Sequence, residues 1–247
     1  MLLLSSLPGG PAGLTRWPGH GSILGPRAGE GATAHTTRFG GHCVQIHSFQ
    51  LTPFFMNCFV IEDGGEAVVI DPGEAHPRLL SSLEGLQVKM VVDTHCHIDH
   101  CAGNAGVVQA TSAPLVIHEA EGPVLQSLEQ QAMMFGVPMV TSPAPDRLVA
   151  DGDTLQVGDI TLTVRHAPGH SPGHIVLIGD GFVCAGDVLF AGSIGRTDLP
   201  GGSHAQLLQS IRDKLLPLPD DTVVHCGHGP DTTIGRERQS NPFLVGL

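Results

Sequence analysis

The chain has no tyrosine and one tryptophan in 247 residues, and only 15% of its residues are charged. Basic residues are the scarcer sign, 12 against 24 acids, for a formal net charge of −12. That balance argues against nucleic acid and anionic membrane surfaces as partners, because phosphate binding rests on Lys and Arg contacts. No apolar run approaches the roughly 18 residues needed to span a bilayer. The opening "MLLLSSL" lacks a positive flank and is short for a signal-peptide core. A soluble, cytoplasmic protein is expected.

Other absences narrow the chemistry. The six cysteines, Cys43, Cys58, Cys96, Cys101, Cys184 and Cys226, form no CxxC pair. They read as reduced thiols rather than a disulfide framework or a zinc ribbon. No P-loop or GxGxxG opening is present, and no Ser or Cys triad suggests a covalent nucleophile. What is abundant is apolar residues, at 41%, enough for a packed core, and histidine, with 15 residues.

Residues 1–41 are rich in Gly, Pro, Ser and Thr, with Arg16, Arg27 and Arg38 against Glu30, and show no helical or strand period. They read as a disordered arm preceding one domain over 42–247. From Cys43 onward, short apolar runs closed by turn residues take over. "CVQIHSF" is a strand, and "NCFVIED" and "EAVVIDPG" form a hairpin about Asp63-Gly64-Gly65. "HPRLLSSLEGL" is a helix, and "VKMVVDT" a buried strand.

The second half has the same grammar. "APLVIHE" is a strand and "PVLQSLEQQAMMFG" a helix, with Met133, Met134 and Phe135 as core or pocket wall. "DTLQVGDITLTVRHAPG" and "HIVLIGDGFVCAGDVL" are hairpins. "SHAQLLQSIRDKLL" is a helix capped by Ser203, "TVVHCGHG" a strand and "TIGRERQS" a final helix. Strands and helices alternating in both halves predict an α/β (α+β) fold with helices outside two central sheets.

Histidine concentrates where "VKMVVDT" ends. In "HCHIDH", His95, His97, Asp99 and His100 fall within six positions. Alternate residues of an extended chain point the same way, so His95 and His97 can grip one ion while Asp99 and His100 turn toward a second. Neutral imidazole and carboxylate suit zinc, with iron or manganese as alternatives, and a catalytic ion needs about three protein ligands. "RHAPGHSPGH" offers His170, "CAGDVLFAG" offers Asp187 and "VHCGHGP" offers His228, each after a strand and wrapped in Gly or Pro. His166, His174 and His225 read as packing or supporting residues. Hydrolysis by a metal-bound hydroxide is the first expectation.

With HxHxDH matched by "HCHIDH", the chain from about residue 43 onward resembles the metallo-β-lactamase superfamily. The resemblance implies an αββα sandwich of two mixed sheets flanked by helices. It also implies a first site of His95, His97 and His170, a second of Asp99, His100 and His228, and Asp187 bridging them. "GDVLFAGSIGRTDLPGG", "LLPLPDDTVVHCGHGP" and "TTIGRERQSNPFL" are similar to the short bacterial glyoxalase II-like hydrolases. That implies S-acyl glutathione thioesters, such as S-lactoylglutathione, as substrate, with Asp99 orienting the nucleophile and Arg236 and Arg238 meeting glutathione. The absence of Tyr departs from the aromatic glutathione contacts of larger relatives. Arg196 and Asp198 are expected to form a buried ion pair bracing the loop after Asp187. "THCHIDH" also resembles the sulfur dioxygenases, which implies a single iron on His95, His170 and Asp187 acting on glutathione persulfide. A non-catalytic, metal-stabilised scaffold is the third reading.

Overall fold

The computed structural model describes residues 32–39 and 42–247. Its first sheet has seven strands in chain order: β1 (Ala32–Phe39), β2 (His42–Leu51), β3 (Met56–Asp63), β4 (Glu66–Ile70), β5 (Gln87–Val92), β6 (Leu115–His118) and β7 (Arg147–Val149). β1 to β4 pair antiparallel, whereas β4 to β7 pair in parallel. Parallel neighbours need crossover connections. These carry α1 (Pro77–Ser82), α2 (Ile98–Cys101), α3 (Asn104–Thr111), α4 (Gly122–Gln126) and α5 (Leu128–Phe135).

The second half adds β8 (Thr154–Val157), β9 (Ile160–His166), β10 (Ile175–Gly179) and β11 (Phe182–Gly186). A short separate hairpin of β12 (Leu189–Phe190) and β13 (Ser193–Ile194) follows. After α6 (His204–Ser210) and a π-helical turn at Ile211–Leu215 come β14 (Val223–Cys226), β15 (Thr232–Thr233) and α7 (Ile234–Ser240). The second sheet is ordered β15-β14-β11-β10-β9-β8.

Strand side chains alternate between two cores, which is why the apolar runs are nearly continuous. In β3, Cys58 and Val60 face the layer of α1 to α5, while Phe59 and Ile61 face the second sheet. In β4, Val69 points outward and Val68 and Ile70 inward. The inter-sheet core joins Ile46, Phe59 and Val92 to Leu162, Leu177 and Phe182. The outer face of the second sheet, with Val176, Val183 and Val224, is covered by Leu207, Ile211 and Ile234. The result is the expected αββα sandwich. Residues 31–247 form one compact unit. No helix among the described residues is long and apolar enough to cross a membrane.

Two local readings need correction. Ala32–Phe39, assigned to the arm, is a strand in full antiparallel register with β2; residues 1–31 and 40–41 lie outside the described residues. Edge pairing is made by backbone groups and needs no side-chain alternation, and the β-branched Thr33, Thr36 and Thr37 favour it. "PVLQSLEQQAMMFG" is two helices rather than one. Ser127 donates from both its hydroxyl (2.7 Å) and its backbone N–H (3.0 Å) to the Val124 carbonyl, closing the first helix at that turn. The end of "HCHIDH" itself turns into the short α2, and α3 follows after Ala102 and Gly103. By contrast, Ser203 caps α6 as expected, accepting from the Gln206 N–H at 3.4 Å.

Leu177 is fully buried between the sheets. Leu177→Ala is expected to lower unfolding stability by about 2–5 kcal/mol, read by urea denaturation. A change under about 1 kcal/mol would show that this layer is not the main inter-sheet core.

Candidate metal centre

The loops that carry the histidines all leave the C-terminal ends of strands: Asp93–His100 after β5, Ala167–His174 after β9, Asp187 after β11 and Gly227–His228 after β14. His95, His97 and His170 bring one nitrogen each into a group spanning no more than 4.8 Å, as do the ligand atoms of Asp99, His100 and His228. His170 Nε2 lies 3.2 Å from His95 Nε2 and 2.9 Å from His97 Nδ1. His228 Nε2 lies 3.3 Å from His100 Nε2 and 3.2 Å from Asp99 Oδ2. Asp187 stands between the trios, with Oδ1 3.4 Å from His100 Nε2 and Oδ2 3.5 Å from His170 Nε2 and 3.6 Å from His228 Nε2.

Two of these pairs, His95 with His170 and His100 with His228, face each other with their protons placed elsewhere. His170 Nδ1 donates to the Arg196 carbonyl (2.8 Å) and His228 Nδ1 to the Phe54 carbonyl (3.2 Å), since a carbonyl can only accept. His100 Nδ1 meets Asp71 Oδ2 at 3.0 Å. Thr94 Oγ1 donates to Asp71 (2.7 Å) and therefore accepts from His95 Nδ1 (3.2 Å). With the proton of each ring on Nδ1, His95 meets His170, and His100 meets His228, lone pair to lone pair. Only a cation between them makes that favourable. A tetrahedral ion with nitrogens about 2.0–2.1 Å away separates its ligands by roughly 3.3 Å, which is the spacing seen.

Protonation agrees. Burial, reinforced by the neighbouring His100 ring, pushes His95 well below the ordinary imidazole range, and burial with His170 pushes His97 down to about 3. Neutral imidazole is the ligating form. Burial opposes ionisation of Asp187, but His100, His170 and His228 hold its carboxyl far below the usual range. Its buried Oδ1 has no hydrogen-bond partner, which suits a metal ligand. Asp71, His95 and His100 also fall within 4.8 Å of one another. Asp71, however, is engaged by Thr94 and by the Nδ1 side of His100, away from the side that meets His228, and acts as a support.

The sequence pattern missed these supports. Asp71 sits at φ 52, a left-handed conformation that Asp tolerates, directly after β4. Buried Glu121 accepts from Cys96 N–H (2.7 Å), Gly173 N–H (2.7 Å) and the Ser171 hydroxyl, tying the His95/His97 loop to the His170 loop. Gln131 accepts from Ile98 N–H (2.8 Å) and donates to the Cys96 carbonyl (3.1 Å). Asn57 donates to the carbonyls of Cys226 (2.9 Å) and Gly229 (2.8 Å), straddling His228. Each is separated from its partners by at least 23 residues. The one readable sign was a polar residue beside an apolar run, as in "VVIDPG".

Other expected residues fall as follows. His174 stacks on His95 with centroids 4.6 Å apart and accepts from Asp187 N–H (3.0 Å), so it orients two site residues. His166 donates to the Pro172 carbonyl (3.0 Å), and His225 meets Asp231 at 2.9 Å. Cys96 and Cys226 are buried, and burial raises both thiols above the ordinary range. Arg196 and Asp198 do form a bidentate pair at 2.7 and 2.8 Å, but with side chains 40% and 69% exposed it is a surface pair, correcting the expected buried one. Arg238 also needs correction as a glutathione contact. Its guanidinium is held by Asp220 and by the carbonyls of Leu216 and Leu218, bracing the turn before β14. Arg236 is exposed and, two positions away on α7, faces roughly the opposite side of the helix.

Asp71→Asn removes the charge that orients His100. Metal affinity, measured by competition with a chelator, is expected to fall about 10–100-fold; unchanged affinity would mean that Asp71 only fastens Thr94.

Residues 51–228 match the model of the metallo-beta-lactamase superfamily. The chain is 40% identical over 208 residues to a hydroxyacylglutathione hydrolase, GloC, of Haemophilus influenzae, covering 81% of this chain and 98% of that one. It is also similar to the crystal structure of the B3 metallo-beta-lactamase BLEG-1, at 40% identity and a TM-score of 0.76 over 81% of this chain and 100% of that one. A second similar structure, crystallised in a di-iron-bound form, has 37% identity and a TM-score of 0.72, covering 80% of this chain and 99% of that one. With this match and the metal-ready site it spans, the chain belongs to the metallo-beta-lactamase superfamily, as a metal-dependent hydrolase.

Proposed function

We propose that the protein hydrolyses S-acyl glutathione thioesters of the S-lactoylglutathione type. In this reading His95, His97 and His170 hold one ion, Asp99, His100 and His228 hold a second, and Asp187 is shared. The observation that carries it is the two pairs of facing imidazole lone pairs on either side of one carboxylate. Zinc suits these donors, and iron or manganese is compatible with them. Such ions, when bound, polarise a carbonyl oxygen and lower the pKa of a coordinated water toward about 7.

The protein's own groups do the positioning. Burial opposes ionisation of Asp99, but His100 and His228 hold its carboxyl below the ordinary range, so it stands as a carboxylate at the edge of the site. There it can orient an incoming water and take up its proton. A thioester suits this arrangement because a thiolate departs without a strong general acid. Arg236, exposed on α7, is the remaining candidate to meet a glutathione carboxylate. The name of the Haemophilus relative supports the same substrate class. A single-iron persulfide dioxygenase would use only His95, His170 and Asp187, leaving the facing lone pairs of His100 and His228 without a purpose.

The test supplies purified, metal-quantified protein with S-lactoylglutathione and glutathione persulfide in parallel. Thioester loss without oxygen uptake is expected; oxygen uptake without thioester loss would reverse the reading. His170→Ala should lower bound metal and reduce turnover by at least about 100-fold, as expected when a ligand that assembles the reacting groups is lost. A metal-replete variant with normal turnover would remove His170 from the site.

A further inference from the structure

Outside the metal centre, two histidines from different sheets stack on each other. His118 ends β6 of the first sheet and His166 ends β9 of the second. Their ring centroids are 4.2 Å apart and their planes are inclined by 7°. His118 is buried, whereas His166 is half-buried and lines a surface cavity of about 290 Å³ with Asp151, Ser210, Asp213 and Lys214. Protons thus reach the pair from solvent on the His166 side.

Each ring is tied to the loops that carry the metal donors. His118 Nδ1 accepts from the Ala120 N–H at 3.2 Å, capping the single turn Glu119–Glu121. That turn presents Glu121, which holds Cys96 N–H on one ligand loop and Gly173 N–H and the Ser171 hydroxyl on the other. The approach is close, since a side chain at Gly173 would run into Glu121. His166 Nε2 donates to the Pro172 carbonyl at 3.0 Å, in the same loop as His170. The two rings respond to acid differently. A protonated His166 keeps its bond to Pro172, but a protonated His118 carries N–H on both nitrogens and can no longer accept from Ala120. Two imidazolium rings at this separation also repel each other. The acids facing His118 are Glu119, on the capped turn, and Asp151, from the segment after β7. Asp151 is already engaged by Arg165, Lys214 and the backbone N–H of His166, and Asp213 by Arg212. Burial, followed by the His166 ring, holds His118 below the ordinary imidazole value.

We propose that the His118–His166 stack is an acid-sensitive latch on the metal centre: protonation of His118 releases the cap of the Glu121 turn, the rings part, and the His95/His97 and His170 loops lose the carboxylate that joins them. Metal is then held less tightly. The inference rests on the metal centre described above and concerns its regulation. Its sign follows from the depressed value of His118, because the folded protein takes up this proton less readily than the unfolded chain. The latch therefore contributes fully above the ordinary imidazole value of about 6.5 and is lost as pH falls through the lower value of His118.

The experiment follows full-length, zinc-loaded protein from about pH 7.5 to about pH 5, the range in which imidazole titrates. It reads the NMR resonances of the His118 ring and the Ala120 amide, and the rate at which a chelator extracts the metal. The Ala120 amide should shift together with the His118 ring, and extraction should quicken across the same step. His118→Asn keeps a side-chain acceptor for Ala120 but has no titrating ring. Its extraction rate should lie within about twofold of wild type at about pH 7.5 and about five- to tenfold below it at about pH 5. His166→Gln keeps a donor for Pro172 and removes the facing charge, so the His118 step and metal release should both move to higher pH. An Ala120 amide indifferent to the His118 titration, or His118→Asn following the wild-type profile, would overturn the inference. Should His118→Asn not fold, an unmoved His118 step in His166→Gln overturns it equally. Wild type that binds no metal at about pH 7.5 would instead overturn the metal centre itself.

Discussion

The outward anchoring of imidazole N–H groups is the interaction on which the centre depends. Arg196 and Phe54 offer carbonyls, Thr94 a hydroxyl and Asp71 a carboxylate, so four rings are held with their remaining lone pairs inward. Each anchor sets both the tautomer and the direction of a ring. Without them the rings could pair with one another as donors and acceptors, and the space between them would close. Burial adds to the effect by keeping His95 and His97 neutral.

The frame delivers these groups because every loop concerned leaves the same kind of strand end. Two layers of apolar side chains fix the strands, and glycine lets the loops come close. A side chain on Gly227 would run into Asp187 and His100, and one on Gly186 into Thr94 and His174. Gly186 also has φ 47, where glycine carries no steric penalty. Bridging carboxylates extend the rigidity beyond the ligands. Glu121 links two ligand loops from a third strand end, and Glu237 accepts from Gly192 N–H at 2.8 Å and Asn241 at 2.8 Å, fastening α7 to the β12–β13 hairpin. Buried carboxylates of this kind remain because each lone pair has a donor.

The two carbonyl anchors differ in their surroundings. Arg196, whose side chain forms a surface ion pair with Asp198, holds His170, and Phe54, whose ring packs on Phe135, holds His228. The directions of His170 and His228 are thus set by two short surface segments. A shift in the turn at Phe54 would move His228, and a shift in the loop at Arg196 would move His170. With Arg238 engaged by Asp220, the cations available to an anionic substrate are few.

Strand and helix order was legible in the sequence because local periodicity records which faces are buried. The four layers followed from runs such as "NCFVIED" and "EAVVIDPG". The seven side chains that converge here were legible as candidates too, since "HCHIDH" and the later His and Asp residues each sit at a strand end, and a possible donor is defined by its residue type. What remained hidden depended on distance along the chain. β1 is made by backbone pairing, which leaves no side-chain pattern, and the break at Ser127 turns on one hydroxyl. Asp71, Glu121, Gln131 and Asn57 are ordinary polar residues until folding brings them to their partners. Arg238 looked like a substrate contact and became a brace for the same reason. Sequence alone determined the donors and the layers, because both are properties of residue type and local spacing. Only the tertiary structure decided which nitrogen of each ring faces inward, because that depends on an acceptor supplied by a distant part of the chain.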